Sequence, residues 1–435
     1  MVKRLPVFGV FLLVLSYLSA AQNASFSGKL SFDTAYLNFD EQSAAEYGIP
    51  GRSLYSAGTA QLLMTVDGGS LLRAYFGGTF SAYSLTDTSA GTAVMTEKDF
   101  TADKAYVKIR LPWFSGKTAR LNIGKMPVSW GYGTIFNAGD IIFGAEPASL
   151  QRTGVSFSMD GSESSLNDLR VSTDWITDVS FPVIDGFLSA EPVTVIPLES
   201  DTAAALSDSG KLCAALSDSA GTVRSRFGGR LLFTPYTARL ETFEIGCLTD
   251  LAASEQQFYI AFDGNLYADY NLCATVSLFK NNFQFTSVTG ADRIYTAAER
   301  TEQSTAVSMG LSKIYTITNY ETARDHRLSL RAETLLYPCT GNLDVFAFAD
   351  FSCTEKISAA AIYLFTRAAR NSLAGEAAAG QTGSTDASDE TAHTAAFSLT
   401  VKPVSAFELS FTAVVPDLRT VYESQEVFVS CTYRF

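Results

Sequence analysis

Apolar and polar residues alternate along much of this chain. Between Lys104 and Leu111, the residues Ala105, Val107, Ile109 and Leu111 share one face of an extended segment, and Lys104, Tyr106, Lys108 and Arg110 share the other. A two-residue period puts one row in an apolar medium and its neighbours in a wetter one. Phe26, Gly28, Leu30 and Phe32 alternate in the same way with Ser27, Lys29, Ser31 and Asp33. So do Leu72, Ala74, Phe76, Gly78 and Phe80 with Arg73, Tyr75, Gly77, Thr79 and Ser81. Ala119, Leu121 and Ile123 flank Arg120 and Asn122. At the chain's end Val427, Val429, Cys431, Tyr433 and Phe435 oppose Phe428, Ser430, Thr432 and Arg434.

The same criterion predicts strands at 26–32, 54–66, 72–81, 104–111, 119–123, 154–159, 169–175, 224–233 and 239–247. It continues with 258–262, 266–279, 304–317, 326–337, 343–353, 357–366, 393–402, 406–415 and 426–435. Their connections alternate in length: long at 39–53, tight at Asp67-Gly68-Gly69-Ser70, long at 85–99, tight at Phe114-Ser115-Gly116-Lys117, long at 125–152. Further long loops are expected near 178–222, 280–303 and 367–391, and a tight turn at Asp263-Gly264-Asn265. Within 178–222, Ala205-Leu206-Ser207-Asp208-Ser209 recurs as Ala215-Leu216-Ser217-Asp218-Ser219, as a tolerant surface loop allows. The expectation is an all-β protein, a transmembrane antiparallel up-and-down β-barrel of about 18 strands, within a range of roughly 16 to 18. A secreted β-sandwich or β-helix array is the competing class, with its apolar rows facing a protein core.

The terminal strand stops on Phe435, with Tyr433 two places earlier. This resembles the C-terminal signature of bacterial outer-membrane β-barrel proteins. The resemblance implies that Val427, Val429, Cys431, Tyr433 and Phe435 form an assembly signal. It also implies the barrel assembly machinery, periplasmic chaperones and membrane lipid as partners, in the bacterial outer membrane. A second stretch runs Gly124-Lys125-Met126-Pro127-Val128-Ser129-Trp130-Gly131-Tyr132-Gly133 and on to Phe136, Asn137 and Asp140. Its Gly-Lys, Trp-Gly and Asn-x-x-Asp elements resemble a strand-to-loop motif of porin-like outer-membrane families.

The N-terminus agrees with export. Lys3 and Arg4 precede an apolar run from Val7 to Leu18 and the small residues Ser19, Ala20 and Ala21, the three parts of a secretory signal peptide. Cleavage is expected after Ala21, leaving 22–435 as the barrel. The run is shorter than the roughly 20 residues of a membrane-spanning helix. Composition adds 31 Phe, 19 Tyr and 31 Gly, the aromatic and turn residues that barrel girdles and hairpins use. A net charge of −13 argues against nucleic acid as a partner.

Six cysteines stand apart, at 213, 247, 273, 339, 353 and 431, and the only histidines are His326 and His393, so no metal site or cofactor is expected. Cys247, Cys273 and Cys431 fall within strands, where Cys acts as a small hydrophobe. A hydrolytic site would have to use His326 with Ser329, but a spacing of three puts them on opposite faces of a strand, so the protein is not read as an enzyme.

Barrels of about 16–18 strands leave an aqueous channel unless plugged. The expected function is therefore passive diffusion of small polar solutes. An adhesin or structural barrel acting through its loops is the alternative, and an outer-membrane hydrolase a remote third. Arg73, Lys104, Lys108, Arg110 and Arg120 would form a basic inner wall, and charged rows of this kind set pore selectivity. The aromatic loop, with Trp130, Tyr132, Asn137, Asp140 and Glu146, would either fold into the lumen as a constriction or stay outside as an anchored surface loop. A basic wall of this kind resembles that of general porins, where it faces acidic loop residues across the constriction, and the resemblance makes Asp140 and Glu146 the acidic candidates.

Overall fold

The alternating rows build a single closed wall. The computed structural model describes residues 23–38, 50–142, 174–196, 226–235, 237, 239–250, 255–266, 269–280, 303–319, 324–338, 341–368, 390–415 and 425–435. The first strands are β1 (Asn23–Asn38), β2 (Arg52–Asp67), β3 (Leu72–Asp87), β4 (Thr92–Pro112), β5 (Thr118–Met126) and β6 (Asp174–Ile184). They are followed by β7 (Leu188–Ile196), β8 (Arg226–Phe233), β9 (Leu240–Asp250), β10 (Glu255–Asn265), β11 (Asn271–Lys280) and β12 (Gln303–Asn319). The last are β13 (Arg324–Tyr337), β14 (Asn342–Thr354), β15 (Ile357–Ala368), β16 (Glu390–Val404), β17 (Phe407–Val415) and β18 (Gln425–Arg434). All 18 pair antiparallel in sequence order, and β1 joins both β2 and β18, so the sheet has no open ends. Closure leaves no first or last strand as an unpaired edge.

Phe435 completes the seam. Its N–H donates to the Gly28 carbonyl at 3.0 Å and its carbonyl accepts the Gly28 N–H at 2.9 Å. Its ring covers Gly28, where a Cβ would collide with it, and lies 6.2 Å from the Tyr433 ring.

The usual partition of side chains is inverted. Phe26, Leu62 and Phe397 are 74%, 60% and 65% exposed on the outer face, while Ser398, Thr400, Ser410 and Thr412 are buried inside. Apolar surface on this scale, continued round the wall by Phe32, Ile260, Leu278 and Met309, suits hydrocarbon and not water. On β18, Val427, Tyr433 and Phe435 are exposed outside and Phe428, Ser430 and Thr432 buried inside, as the alternation predicts.

One end of the barrel carries the short connections, including 68–71 and 113–117, together with the start of β1 and the end of β18. The tight turn at Asp67-Gly68-Gly69-Ser70 is present, with Gly69 at φ +85. The other end carries the connections 39–51, 127–173, 197–225, 281–302 and 369–389.

Several expected boundaries move. The 85–99 loop is strand except for 88–91, because β3 and β4 continue far past β5. The 178–222 loop begins only after Ile196, since β6 and β7 occupy most of 174–196. Asp263-Gly264-Asn265 is not a turn. It lies at the end of β10, where a register shift at Asp263/Gly264 brings the backbone against the Arg239 carbonyl, leaving no room for a Cβ at Gly264. The connection itself is 266–270. Residues 1–21, the expected strand at 154–159, Glu146, Cys213 and Cys339 lie outside the described residues. Cys247, Cys273, Cys353 and Cys431 are free thiols.

Candidate functional site

The aromatic loop turns into the barrel. At Gly124 the backbone takes φ +131, and a Cβ there would collide with the Ala105 carbonyl of β4. Two residues later the chain leaves β5, and the stretch 127–142 passes across the inner faces of β7 to β13. Trp130 and Asn137 are fully buried, as are Ile135, Ala138 and Ile141, and Asp140 is nearly so. Asn137 shapes the loop from within. Its Nδ2 donates to the Trp130 carbonyl at 2.9 Å and its Oδ1 accepts the Gly139 N–H at 3.0 Å. Gly131, at φ +72, packs directly on Gly139, so neither position has room for a side chain.

Three carboxylates on the wall receive the loop. Glu191 of β7 accepts the Trp130 indole N–H at 3.1 Å. Glu244 of β9 accepts the Gly131 N–H and the Tyr259 hydroxyl, each at 2.9 Å. Glu333 of β13 accepts three consecutive backbone N–H groups, from Thr134 at 2.9 Å, Ile135 at 2.7 Å and Phe136 at 2.8 Å. Ser308 of β12 accepts the Ala138 N–H at 2.9 Å.

Arginines complete the seat. Arg230 of β8 bonds Glu191 at 3.0 Å, Glu244 at 3.1 Å and the Ser129 carbonyl at 3.2 Å, with its guanidinium 5.7 Å from the Trp130 ring centre. Arg226 reaches the Ile142 carbonyl at 3.3 Å, and Arg331 donates to the Thr134 hydroxyl. Burial, then the Glu244 carboxylate, push the Tyr132 phenol above its ordinary range, so this loop residue stays uncharged.

The five basic residues lie on β3, β4 and β5, outside the β7 to β13 stretch that seats the loop. Register aligns Arg73 with Lys108 and Lys108 with Asn122, and pairs Arg110 with Arg120. Lys104, aligned with Gly77, stands farther from the turn end. The Lys108 ammonium lies 5.4 and 5.6 Å from the ring centres of Tyr75 and Tyr106, which stack at 4.7 Å. Lys108, Arg110 and Arg120 are exposed. Arg73 is held at the turn by Asp67 at 2.6 Å, and Asn122 donates to Asp178 of β6 at 2.9 Å.

Register sets these cations on neighbouring strands, and Asp140 lies within the buried part of the loop. Asp140 is buried between Gly139, which packs on Tyr259 and Thr275, and Ile142, which meets Arg226. Lys108 and Arg110 belong to β4. The carboxylates that matter sit on the wall, and sequence reasoning missed all three. Glu244 and Glu333 take backbone N–H groups, which carry no sequence signature, and Glu191 takes an indole N–H from 61 residues away. His326 faces outward on β13, its Nδ1 2.8 Å from the Cys353 carbonyl, while Ser329 faces inward.

No family model matches the sequence, and no curated protein matches it. Solved structures do match its fold. A BenF-like porin from Pseudomonas fluorescens Pf-5 superposes with a TM-score of 0.53 at 10% identity, covering 96% of this chain and 99% of that one. OccK2 (OpdF) of Pseudomonas aeruginosa, solved with glucuronate, gives 0.50 at 12% identity, covering 96% and 97%. This chain has the β-barrel fold of bacterial outer-membrane porins.

Proposed function

We propose that the protein is an outer-membrane channel for passive diffusion of small polar solutes, with anions favoured over cations. The observation that carries this reading is the division of the lumen. A loop is seated on β7 to β13, and the exposed cations of β4 and β5 supply none of its anchors. The loop is the constriction, and Lys104, Lys108, Arg110 and Arg120 meet the solute in water. Their effect is electrostatic and involves no chemistry on the solute.

In this reading residues 1–21 direct export and the terminal row ending in Phe435 is the assembly signal. The turn end faces the periplasm and the loop end the exterior. Small carboxylates are the natural first solutes to test, since OccK2, which shares the fold, was solved with one. Purified barrel in a planar bilayer gives steady conductance steps, with a reversal potential in a salt gradient that favours anions. A bilayer that stays silent, with folded protein inserted, defeats the channel reading and leaves a barrel that acts through its external loops.

A further inference from the structure

Glu333 stands apart from the other loop anchors. Its carboxylate is almost fully buried and takes three successive backbone N–H groups within 2.7–2.9 Å. Consecutive N–H groups converge on one anion only when the backbone curls round it, forming an anion-binding nest. Gly133 supplies that curl. It sits at φ +138, and a Cβ there would collide with the Phe136 carbonyl. Arg331, two places earlier in the same inward row, bonds the Thr134 hydroxyl and lies 3.9 Å from Glu333.

Glu191 and Glu244 are arranged differently. Both are tied to Arg230 at 3.0–3.1 Å, and each accepts one N–H from the loop. Each keeps a bond to Arg230 that does not depend on the loop. Glu333 gives most of its acceptor capacity to loop backbone.

Resting on the channel reading above, we propose that Glu333 is the positioning residue of the constriction. Its negative charge holds the 134–136 backbone in the nest, so it decides how far the half-buried 131–134 segment reaches into the water path. Removing the charge lets this segment leave its seat and widens the path. Glutamine in its place keeps the side-chain length but offers one acceptor oxygen and two N–H donors, which meet the loop's own donors head-on. Hydrogen bonds to a charged group contribute enough that losing one shifts the balance between seated and unseated loop by about tenfold.

The test records single channels from the full-length mature barrel, comparing the native protein with Glu333→Gln, Glu333→Asp and Gly133→Ala. Folding is checked by the heat-dependent mobility shift of intact barrels on gels. Glu333→Gln spends about tenfold more time in a wider, noisier conducting state. Glu333→Asp, which keeps the charge, returns most of the native pattern. Gly133→Ala, which deforms the nest from the loop side, reproduces the wide state without touching the wall.

Glu333→Ala adds a chemical test. Sodium acetate, but not sodium chloride, restores its narrow state relative to the native channel in the same salt. If the native barrel conducts and folded Glu333→Gln is indistinguishable from it, the positioning role is wrong and the channel stands. If Glu333→Gln does not fold, Gly133→Ala with native conductance overturns the proposal equally well. A native barrel that never conducts removes the channel reading itself.

Discussion

The two sides of this barrel use charge in opposite ways. On β7 to β13 the carboxylates of Glu191, Glu244 and Glu333 meet loop backbone, an indole N–H and Arg230, all of them buried or nearly so. On β4 and β5, Lys108, Arg110 and Arg120 carry like charges side by side, and they remain exposed. The first arrangement is self-satisfying and holds a structure in place. The second leaves like charges unneutralised by one another, which is unfavourable for packing and useful only if something negative passes by. An inward-facing charge is therefore not in itself a sign of solute contact. Its partners decide whether it builds the constriction or acts through it.

The largest expected effect comes from abolishing the difference. Replacing residues 129–141 by a short Gly-Ser connection strips the loop from its seat and exposes both walls to water. Single-channel conductance should rise several-fold, and preference for anions should fall as Glu191, Glu244 and Glu333 become exposed. A conductance unchanged after this excision would mean the loop does not narrow the path. The contrast between a covered wall and an open one would then have no bearing on transport.

Charge reversal on the open wall comes next. Lys108→Glu combined with Arg110→Glu leaves the loop's anchors intact. One close unit charge contributes about 1 kcal/mol in a water-like medium, so reversing two should move the anion-to-cation permeability ratio by about tenfold or more. Reversal potentials in a salt gradient read this directly. The same reversal at buried Arg226 and half-buried Arg230 should instead impair folding, because a carboxylate at 230 would face Glu191 and Glu244 without their cation. Equal effects from the two pairs would erase the distinction between the walls.

This contrast also explains what could be read from the chain. Alternation revealed β1, β3, β14, β17 and β18 because each has one row in hydrocarbon and one inside. It failed for the upper part of β3 and β4. There both faces meet water, and Thr92-Ala93-Val94-Met95-Thr96-Glu97-Lys98 shows no regular period. The tip is instead marked by Asp87, whose Oδ1 accepts the Ser89 N–H at 2.7 Å ahead of Gly91 at φ +65. Alternation failed again for β6 and β7, which carry Pro182 and Pro192 and pack Ile176, Val193 and Val195 inward beneath the loop, so both rows look apolar. The ladder between them pairs Asp178 with Val193 and Phe181 with Ala190 and omits the two steps between, at Pro192 and Glu191. In the loop, Trp130, Tyr132 and Asn137 were legible as members of a candidate constriction. The seat was not legible, since Thr134 and Glu333 meet across 199 residues of sequence.

The smallest effect tests how the covered wall shares its work. Trp130→Phe removes only the indole N–H that Glu191 accepts at 3.1 Å. It keeps an aromatic ring at the position now 6.1 Å from Tyr259 and 5.7 Å from the Arg230 guanidinium. Glu191 retains its bond to Arg230, so its carboxylate is not stranded, and the cost should be about 1–2 kcal/mol of stability. That loss should appear as a lower denaturant midpoint, with mean conductance close to native. Trp130→Ala discards the ring as well, and for a side chain this buried the cost rises to about 3–5 kcal/mol. The two variants separate packing from positioning: the ring stabilises the loop's base, whereas Glu333 places its tip. Should Trp130→Phe widen the channel as much as Glu333→Gln, the loop would be moving as one rigid piece hinged on any of its anchors. No single carboxylate on the covered wall would then set the bore.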